Sequence, residues 1–256
     1  MMQGIFDSHA HYNDDRFAED RDTLLPQIHC NGVSHILNAG CDISSSMESI
    51  RLAEQFPYIY AGVGIHPEEV DPLPEDYLAT LSQLAKHPKV VAIGEIGLDY
   101  HYENADADRQ QNMFVQQLDL ADKLDLPVII HSRDATQDTV QILSSRKSHH
   151  GVLHCFSGSA ETAEIYIKMG YYIGFTGVVT FSNAKKVIEA VKVIPTERIL
   201  LETDCPYMAP VPFRGKRCSS DMIAYTASKI AEIKGIEPQQ MIDIARENTC
   251  RLFGIE

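Results

Sequence analysis

Several features that would place a chain in a membrane or outside the cell are missing from this sequence. No stretch reaches about 18 uninterrupted apolar residues, so we expect no membrane-spanning helix. The first 11 residues lack a charged segment followed by an apolar one, which predicts no signal peptide. We therefore expect a soluble, cytoplasmic protein. The cysteines are scattered without a CxxC pair, and this pattern is typical of free thiols in a reducing compartment: Cys30, Cys41, Cys155, Cys205, Cys218 and Cys250.

Positive charge is also scarce. The chain has 22 Lys and Arg residues against 36 Asp and Glu residues, which gives a formal net charge of −14 at pH 7. This balance argues against a broad basic surface for duplex DNA. It leaves room for an enzyme that holds the end of a strand through metal ions and a few cations.

Length and patterning predict one domain over residues 1–256. The chain has 256 residues, 44% of them hydrophobic, and no Pro-, Gly- or Ser-rich linker divides it. Short apolar runs alternate with segments of helical periodicity, which indicates parallel βαβ units. The predicted strands are residues 4–8, 35–39, 59–65, 90–98, 128–131, 152–156, 171–176 and 199–203, and the clearest predicted helices are 107–123, 161–169, 185–194, 221–234 and 238–253.

Eight strongly hydrophobic runs fit strands that are buried on both faces. We predict a (β/α)8 TIM barrel with an extra C-terminal helix, and a doubly wound open sheet is the second choice. Six runs end in polar clusters, and in a barrel the carboxyl ends of the strands share the face that holds the active site. The clusters are DSHAH, GIHPE, GEIGLDY, HSRD, HCFSG and ETDCP.

These clusters predict a metal site. His9 and His11 are two residues apart, so on a strand both imidazoles point to one face and can bind one ion. A hydrogen-bonded pair of histidines has the same pattern, and each remaining candidate alone is also compatible with a core histidine or a buried ion pair. Imidazole with carboxylate suits Zn, Mn, Fe or Ni, and carboxylate-rich sites also accept Mg. The remaining candidates are Glu95, His131, His154 and Asp204.

Six candidates exceed the ligands that one four-coordinate ion needs. We therefore expect two divalent metal ions (Mg, Mn or Zn) with a carboxylate between them. Barrel hydrolases often use a carbamylated lysine as this bridge, but Lys89 begins the fourth run, at the wrong end of the strand. Glu95 is the substitute that we predict, as both a ligand and a catalytic group.

Asp204 follows the apolar run Ile199–Leu201. A carboxylate at this point can contact one ion and accept a proton from an attacking water as general base. Glu202, two residues earlier, would share its strand face and orient a ligand or water. A salt bridge facing the core is the alternative for Glu202.

The motifs DSHAH, GIHPE, GEIGLDY, HSRDA, HCFSG and LETDCPYMAP followed by RGK together resemble the signature segments of the TatD family of deoxyribonucleases. The resemblance covers nearly the whole chain. It implies an amidohydrolase-type barrel, a divalent-metal site and metal-dependent cleavage of DNA, often exonucleolytic and favouring single strands. Carried over motif by motif, it implies the same ligands: His9, His11, Glu95, His131, His154 and Asp204.

One segment departs from the family pattern. After Arg214-Gly215-Lys216-Arg217 the family commonly has Asn, a polar residue and Pro, whereas this chain has Cys218-Ser219-Ser220. We expect this segment to shape the barrel rim and to affect substrate contacts rather than the metal site.

A phosphodiester substrate needs groups that neutralise its charge. We predict His66, Arg133, Arg214 and Lys216 as substrate contacts, and Tyr100 and Tyr207 as groups that stack on bases or bind phosphate. Solvated surface positions are the alternative for the cations. The predicted partner is single-stranded DNA, and no membrane or obligate protein partner is indicated.

Two other functions compete with DNA cleavage. One is hydrolysis of a carbonyl substrate such as an amide, a lactone or an aminoacyl-tRNA ester, by the same metal-activated water. The other is a metal-binding interaction protein without turnover, whose expected mark is an incomplete set of ligands. The resemblance, rather than the chemistry of the residues, favours phosphodiesters.

Overall fold

The apolar runs form eight parallel strands, in a computed structural model that describes residues 2–70, 73–146 and 150–255. Each strand pairs with its sequence neighbours in the order β1 to β8. The strands are β1 Ile5–Ala10, β2 Val33–Ala39, β3 Ile59–Val63, β4 Val90–Asp99, β5 Val128–Arg133, β6 Gly151–Leu153, β7 Tyr172–Phe175 and β8 Ile199–Leu201.

The sheet closes where β8 returns to β1. A parallel bridge pairs Ala10 with Cys205, and His11 N donates to Cys205 O at 2.9 Å. Asp204 N donates to His9 O at 3.0 Å, one step further along the same seam. The chain is therefore a TIM barrel, as predicted, rather than an open doubly wound sheet.

Helices cover the outside of the barrel and alternate with the strands. Among the described residues, no helix has the length and apolar character needed to cross a membrane. The helices are α1 Arg21–Cys30, α2 Ile43–Gln55, α3 Tyr77–Leu84, α4 Ala107–Leu124, α5 Thr136–Ser144, α6 Ala160–Lys168, α7 Lys185–Val193, α8 Ile223–Lys234 and α9 Pro238–Phe253. The last of these is the predicted extra C-terminal helix.

The inside of the barrel is apolar at the amino ends of the strands. Phe6, Leu37 and Leu200 belong to a buried cluster there, which the end of the chain closes with Leu252, Phe253 and Ile255. Gly254 ends α9 with a φ of 63°, a left-handed conformation that suits glycine, and Ile255 N then bonds back to Cys250 O at 3.0 Å. This apolar cluster closes the barrel at the amino ends of the strands, so the open face is at their carboxyl ends.

At their carboxyl ends, four of the predicted strands are too long, three are too short and one ends at the observed residue. For example, β6 ends at Leu153 rather than at residue 156, and β8 ends at Leu201 rather than at residue 203. Backbone hydrogen bonds to neighbouring strands continue past these points, from His154 N to Ile130 O at 3.0 Å and from Glu202 N to Phe175 O at 3.2 Å, while the polar side chains turn into the barrel mouth. The places where the predictions overran therefore coincide with the candidate site.

Candidate metal centre

All six predicted ligands meet at the carboxyl face of the barrel. Five of them line a cavity of about 600 Å³, and the sixth, His9, is fully buried beside Glu95. Glu95 occupies the middle of the group and is only 3% exposed. The six residues come from β1, β4 and β5 and from the segments directly after β1, β6 and β8: His9, His11, Glu95, His131, His154 and Asp204.

One oxygen of Glu95 faces the seam between β1 and β8. Oε2 lies 3.2 Å from His9 Nε2 and 3.5 Å from His11 Nε2. These two imidazole nitrogens are 3.0 Å apart, and Asp204 Oδ1 lies 3.3 Å from His11 Nε2. We call this group of His9, His11 and Asp204 the seam side.

The other oxygen of Glu95 faces β5 and β6. Oε1 lies 2.9 Å from His131 Nδ1 and 2.7 Å from His154 Nε2. His66 Nε2 is 3.5 Å from the same oxygen. We call this group of His131, His154 and His66 the imidazole side. Glu95 thus lies between two separate sets of donor atoms.

Hydrogen bonds behind two imidazoles fix which nitrogen faces Glu95. His11 Nδ1 lies 3.0 Å from the carbonyl oxygen of Ala39, so this nitrogen carries the proton. His131 Nε2 lies 2.9 Å from Asp99 Oδ2, which orients the ring so that Nδ1 points to the centre. Partners of this kind typically hold histidine ligands in metal sites.

The sequence analysis did not identify Asp99 as a functional residue. It is four residues after Glu95 on the same strand, and side chains at that spacing share a face. That spacing was the signal that could have found it.

The donor atoms at the centre fit a metal ion. Because His11 Nδ1 is bonded to Ala39 O, its Nε2 faces the oxygens of Glu95 and Asp204. Lone pairs this close to each other require a cation among them, whether a proton or a metal ion. His9 Nδ1 and His154 Nδ1 are buried and lack a hydrogen-bond partner among the described residues. Imidazole and carboxylate are ligands that Zn and Mn accept.

Comparison with known proteins agrees with this geometry. The sequence profile of the family described as TatD related DNase matches residues 6–254. The chain belongs to the TatD-related DNase family. A relative described as the uncharacterized metal-dependent hydrolase YabD, from Bacillus subtilis, is 42% identical over 98% of this chain and 99% of its own length. The uncharacterized metal-dependent hydrolase YcfH of Escherichia coli is 35% identical over 98% and 96%.

The solved structures of TatD proteins have the same fold. The crystal structure of YJJV, a TatD homologue from Escherichia coli K12, matches the whole of both chains with a TM-score of 0.94 at 30% identity. A hydrolase TatD family protein from Entamoeba histolytica matches with a TM-score of 0.90 at 26% identity, again over both whole chains. This chain is therefore a metal-dependent hydrolase of the TatD family. The roles of its individual residues stay predictions.

Electrostatics keeps both TatD-site carboxylates ionised. Burial alone would raise the pKa of Glu95, but the surrounding imidazoles, foremost that of His154, hold it well below its usual range. Burial likewise works against Asp204, but a hydrogen bond from His11 and the charge of His154 lower its pKa below the ordinary value. Asp204 keeps a side-chain exposure of 15%, so its carboxylate borders the cavity.

Glu202 and Asp204 follow β8 rather than lying on it, because β8 ends at Leu201 and Asp204 adopts a left-handed φ of 57°. Both carboxylates nevertheless approach His154, Asp204 within the reach of a shared metal ion. Glu202 is fully buried, with Oε1 accepting from Cys155 N and lying 3.8 Å from His154 Nδ1. Burial raises the pKa of Glu202 to about 8. Its place behind His154 is compatible with the predicted orienting role.

The predicted substrate contacts divide into two groups. His66, Arg133 and Tyr207 line the cavity, whereas Arg214 and Lys216 are exposed and are not among its lining residues. The Arg214 guanidinium instead lies 4.5 Å from the centre of the Phe181 ring.

Tyr100 is also absent from the described residues that line the cavity, since it points to α5 and its hydroxyl donates to Asp138 Oδ2 at 3.0 Å. The cavity wall contains Tyr102 instead. Sequence reasoning missed Tyr102 because it belongs to a loop, where no periodicity shows which way a side chain points.

The departure from the TatD pattern concerns the seam rather than the rim. Cys218 and Ser220 are buried, and Ser220 Oγ donates to Asp7 Oδ2 at 2.7 Å. Asp7, on β1, also accepts from the backbone and side chain of Thr203, at 3.0 and 2.6 Å. Ser220 N donates to Tyr12 Oη at 2.9 Å. The segment therefore helps to join β1 to the chain after β8.

Proposed function

We propose that this TatD-family hydrolase cleaves phosphodiester bonds in DNA, as an exonuclease that favours single strands, with two divalent metal ions. Mg, Mn and Zn are the candidate ions. The observation that carries the proposal is the position of Glu95, whose two oxygens face two separate donor sets. Paired metal ions about 3.5–4 Å apart are typical of enzymes that displace groups on phosphorus.

The residues around the centre supply binding and proton transfer. Bound divalent ions supply Lewis acidity and lower the pKa of water. Glu95, ionised and buried, holds the two donor sets together. Asp204 is ionised and borders the cavity, so its carboxylate is placed to accept the proton of the attacking water. General-base assistance of this kind contributes about 10²–10⁴ in rate.

His66 is suited to donate a hydrogen bond to the substrate. Its Nδ1 accepts from Glu68 N at 3.2 Å, so the proton is on Nε2, which points to the centre. Burial lowers the pKa of His66 to about 3, so the ring stays neutral. The same Nε2 lies close enough to Glu95 and His131 to serve as a ligand. That role requires the proton to move to Nδ1, which would break the hydrogen bond from Glu68 N. As a donor, it would bind a phosphoryl oxygen.

One observation favours the second candidate, hydrolysis of a carbonyl substrate. Among the described residues that line the cavity, Arg133 is the one Lys or Arg, whereas Asp14, Glu68 and Glu69 are acidic. A cavity entrance with more acidic than basic side chains attracts a polyanion such as DNA only weakly. The two candidates differ in their products, a released nucleotide in one case and a released acid in the other.

A digestion assay tests the proposal. Enzyme stripped with a chelator would be reloaded with Mg, Mn or Zn and given an end-labelled single-stranded oligodeoxynucleotide, with the matching duplex in parallel. We expect metal-dependent release of mononucleotides, faster from the single strand. Asp204→Asn prepared in the same way controls for contaminating nuclease. Absence of cleavage with all three metals, together with hydrolysis of an ester or lactone, would establish the carbonyl candidate instead.

A further inference from the structure

Two exposed tyrosines in the cavity wall have no part in the chemistry described above. Tyr102 is 50% exposed and Tyr207 is 47% exposed, and both line the cavity above the metal centre. A single exposed ring needs no explanation, but two exposed aromatic rings in the wall of one cavity are a feature of ligand-binding sites. Their place in the wall suggests a ligand that enters the cavity.

The barrel topology places these tyrosines on opposite sides of the mouth. Tyr102 follows β4 and Tyr207 follows β8, and in a closed barrel of eight strands in sequential order these strands lie across from each other. Glu95 lies on β4, and Asp204 follows β8. A group bound at the centre therefore has one tyrosine on each side.

Each tyrosine also has an arginine beside its ring. The Arg133 guanidinium carbon lies 5.7 Å from the centre of the Tyr102 ring, and that of Arg16 lies 4.0 Å from the centre of the Tyr207 ring. An aromatic face with a neighbouring cation is how single-stranded nucleic acids are held without regard to sequence, since the base stacks and the cation attracts the phosphate. A duplex cannot present its bases in this way.

We propose that Tyr102 and Tyr207 form two base-stacking subsites that take the unpaired nucleobases on either side of the scissile phosphodiester. This inference rests on the proposed function and names the feature of the substrate that the enzyme recognises. It requires bases that are free to leave a helical stack, so it accounts for a preference for single strands in a cavity whose rim is largely acidic.

For Tyr207, stacking rather than hydrogen bonding is the interaction on offer. The Tyr207 hydroxyl is already directed to Asp14 Oδ2, at 3.4 Å. Phenylalanine at either position keeps the ring and loses only the hydroxyl. The conservative variants Tyr102→Phe and Tyr207→Phe therefore separate stacking from hydrogen bonding.

The test compares two single strands of equal length and charge. One is a mixed-sequence oligodeoxynucleotide, and the other is its abasic counterpart with tetrahydrofuran residues in place of nucleosides. The measured quantity is the ratio of kcat/KM for the two strands. We expect the wild-type enzyme to prefer the base-bearing strand, and Tyr102→Ala or Tyr207→Ala to reduce this preference about 5- to 100-fold.

The control variants sharpen the comparison. Tyr225 is similarly exposed, at 43%, but lies on α8 beside Phe213 and outside the cavity wall. We expect Tyr225→Ala to keep the wild-type preference, and the two Phe variants to retain most of it. Binding of an oligonucleotide that contains 2-aminopurine, whose fluorescence falls on stacking, supplies a second readout that does not require turnover.

Three outcomes would overturn the proposal. The first is a wild-type enzyme that cleaves both strands equally well. The second is a pair of Ala variants that lose activity equally on both strands, which would indicate a structural role for the rings. The third is a wild-type enzyme that cleaves neither strand with any of the three metals, which refutes the proposed function and the subsites with it.

Discussion

The two sides of Glu95 differ in charge although both hold imidazoles. The seam side adds the carboxylate of Asp204 to His9 and His11. The imidazole side consists of His131, His154 and His66, and Glu95 is the one carboxylate oxygen donor that faces all three of these described rings. A divalent ion is held more strongly where two carboxylates neutralise it, so the seam side should bind its ion first and lose it last.

The supports behind the two sides differ as well. On the seam side, a main-chain carbonyl, that of Ala39, orients His11. On the imidazole side, the carboxylate of Asp99 orients His131. A backbone support cannot be removed by substitution, whereas a carboxylate support can, so the second side is the easier one to weaken selectively.

The largest expected effect is that of Asp204→Asn, which removes the seam side's own carboxylate. We expect kcat at saturating metal to fall about 10²–10⁴-fold, because the proton acceptor is lost. The fold should persist, as circular dichroism and the unfolding temperature would show. Near-normal kcat at saturating metal would exclude Asp204 as the base.

The second-largest effect is expected from removing a predicted metal ligand, and it should differ between the seam side and the imidazole side. His9→Ala and His11→Ala should each weaken binding of the tightly held ion by more than about 100-fold, since even supporting residues contribute about 10–100-fold. His131→Ala should abolish only the weaker binding event. Calorimetric titration of the metal-free variants measures both events, and unchanged affinity and stoichiometry in both His9 and His11 variants would refute the assignment.

A smaller effect is expected from Asp99→Asn. Without the carboxylate, the His131 ring is no longer held with Nδ1 toward Glu95, so metal affinity on the imidazole side should fall about 10–100-fold. High metal concentration should restore kcat. Asp134→Asn is the matched control, because Asp134 is exposed and pairs with His101. Equal metal affinities in the Asp99 and Asp134 variants would contradict a positioning role.

The smallest effect is that of the rim cations. Arg133 lines the cavity and its side chain is 45% exposed, so Arg133→Ala should raise KM for DNA about 2- to 5-fold and weaken the dependence of KM on salt. Lys216→Ala, outside the cavity wall, should change KM less. Equal changes in both variants would mean that the substrate extends over the loop after β8.

The sequence predicted the fold well because the fold depends on periodic patterns. Eight apolar runs alternating with helical segments led to the barrel, and α9 was predicted with its observed ends. Where strand ends were overestimated, as after Leu153 and Leu201, the chain still makes backbone hydrogen bonds to a neighbouring strand, through His154 N and Glu202 N, although the regular strand pairing has ended.

The ligand candidates could be found from sequence because each lies in the carboxyl-terminal half of a strand or within three residues after one. Residues on loops could not, since their direction depends on backbone conformation that composition does not encode. Asp204 illustrates the limit, because composition does not show its left-handed φ of 57°. The same holds for two loop residues: Tyr102 lines the cavity although we did not predict it, and Lys216 does not line it although we did.

The central claim is that Glu95 bridges two metal ions, and anomalous scattering from crystals soaked in Mn or Zn tests it most directly. We predict two peaks about 3.5–4 Å apart, one next to Oε2 with His9, His11 and Asp204, and the other next to Oε1 with His131 and His154. A single peak, or two peaks that both lie away from Glu95, would contradict the claim and support a mononuclear mechanism.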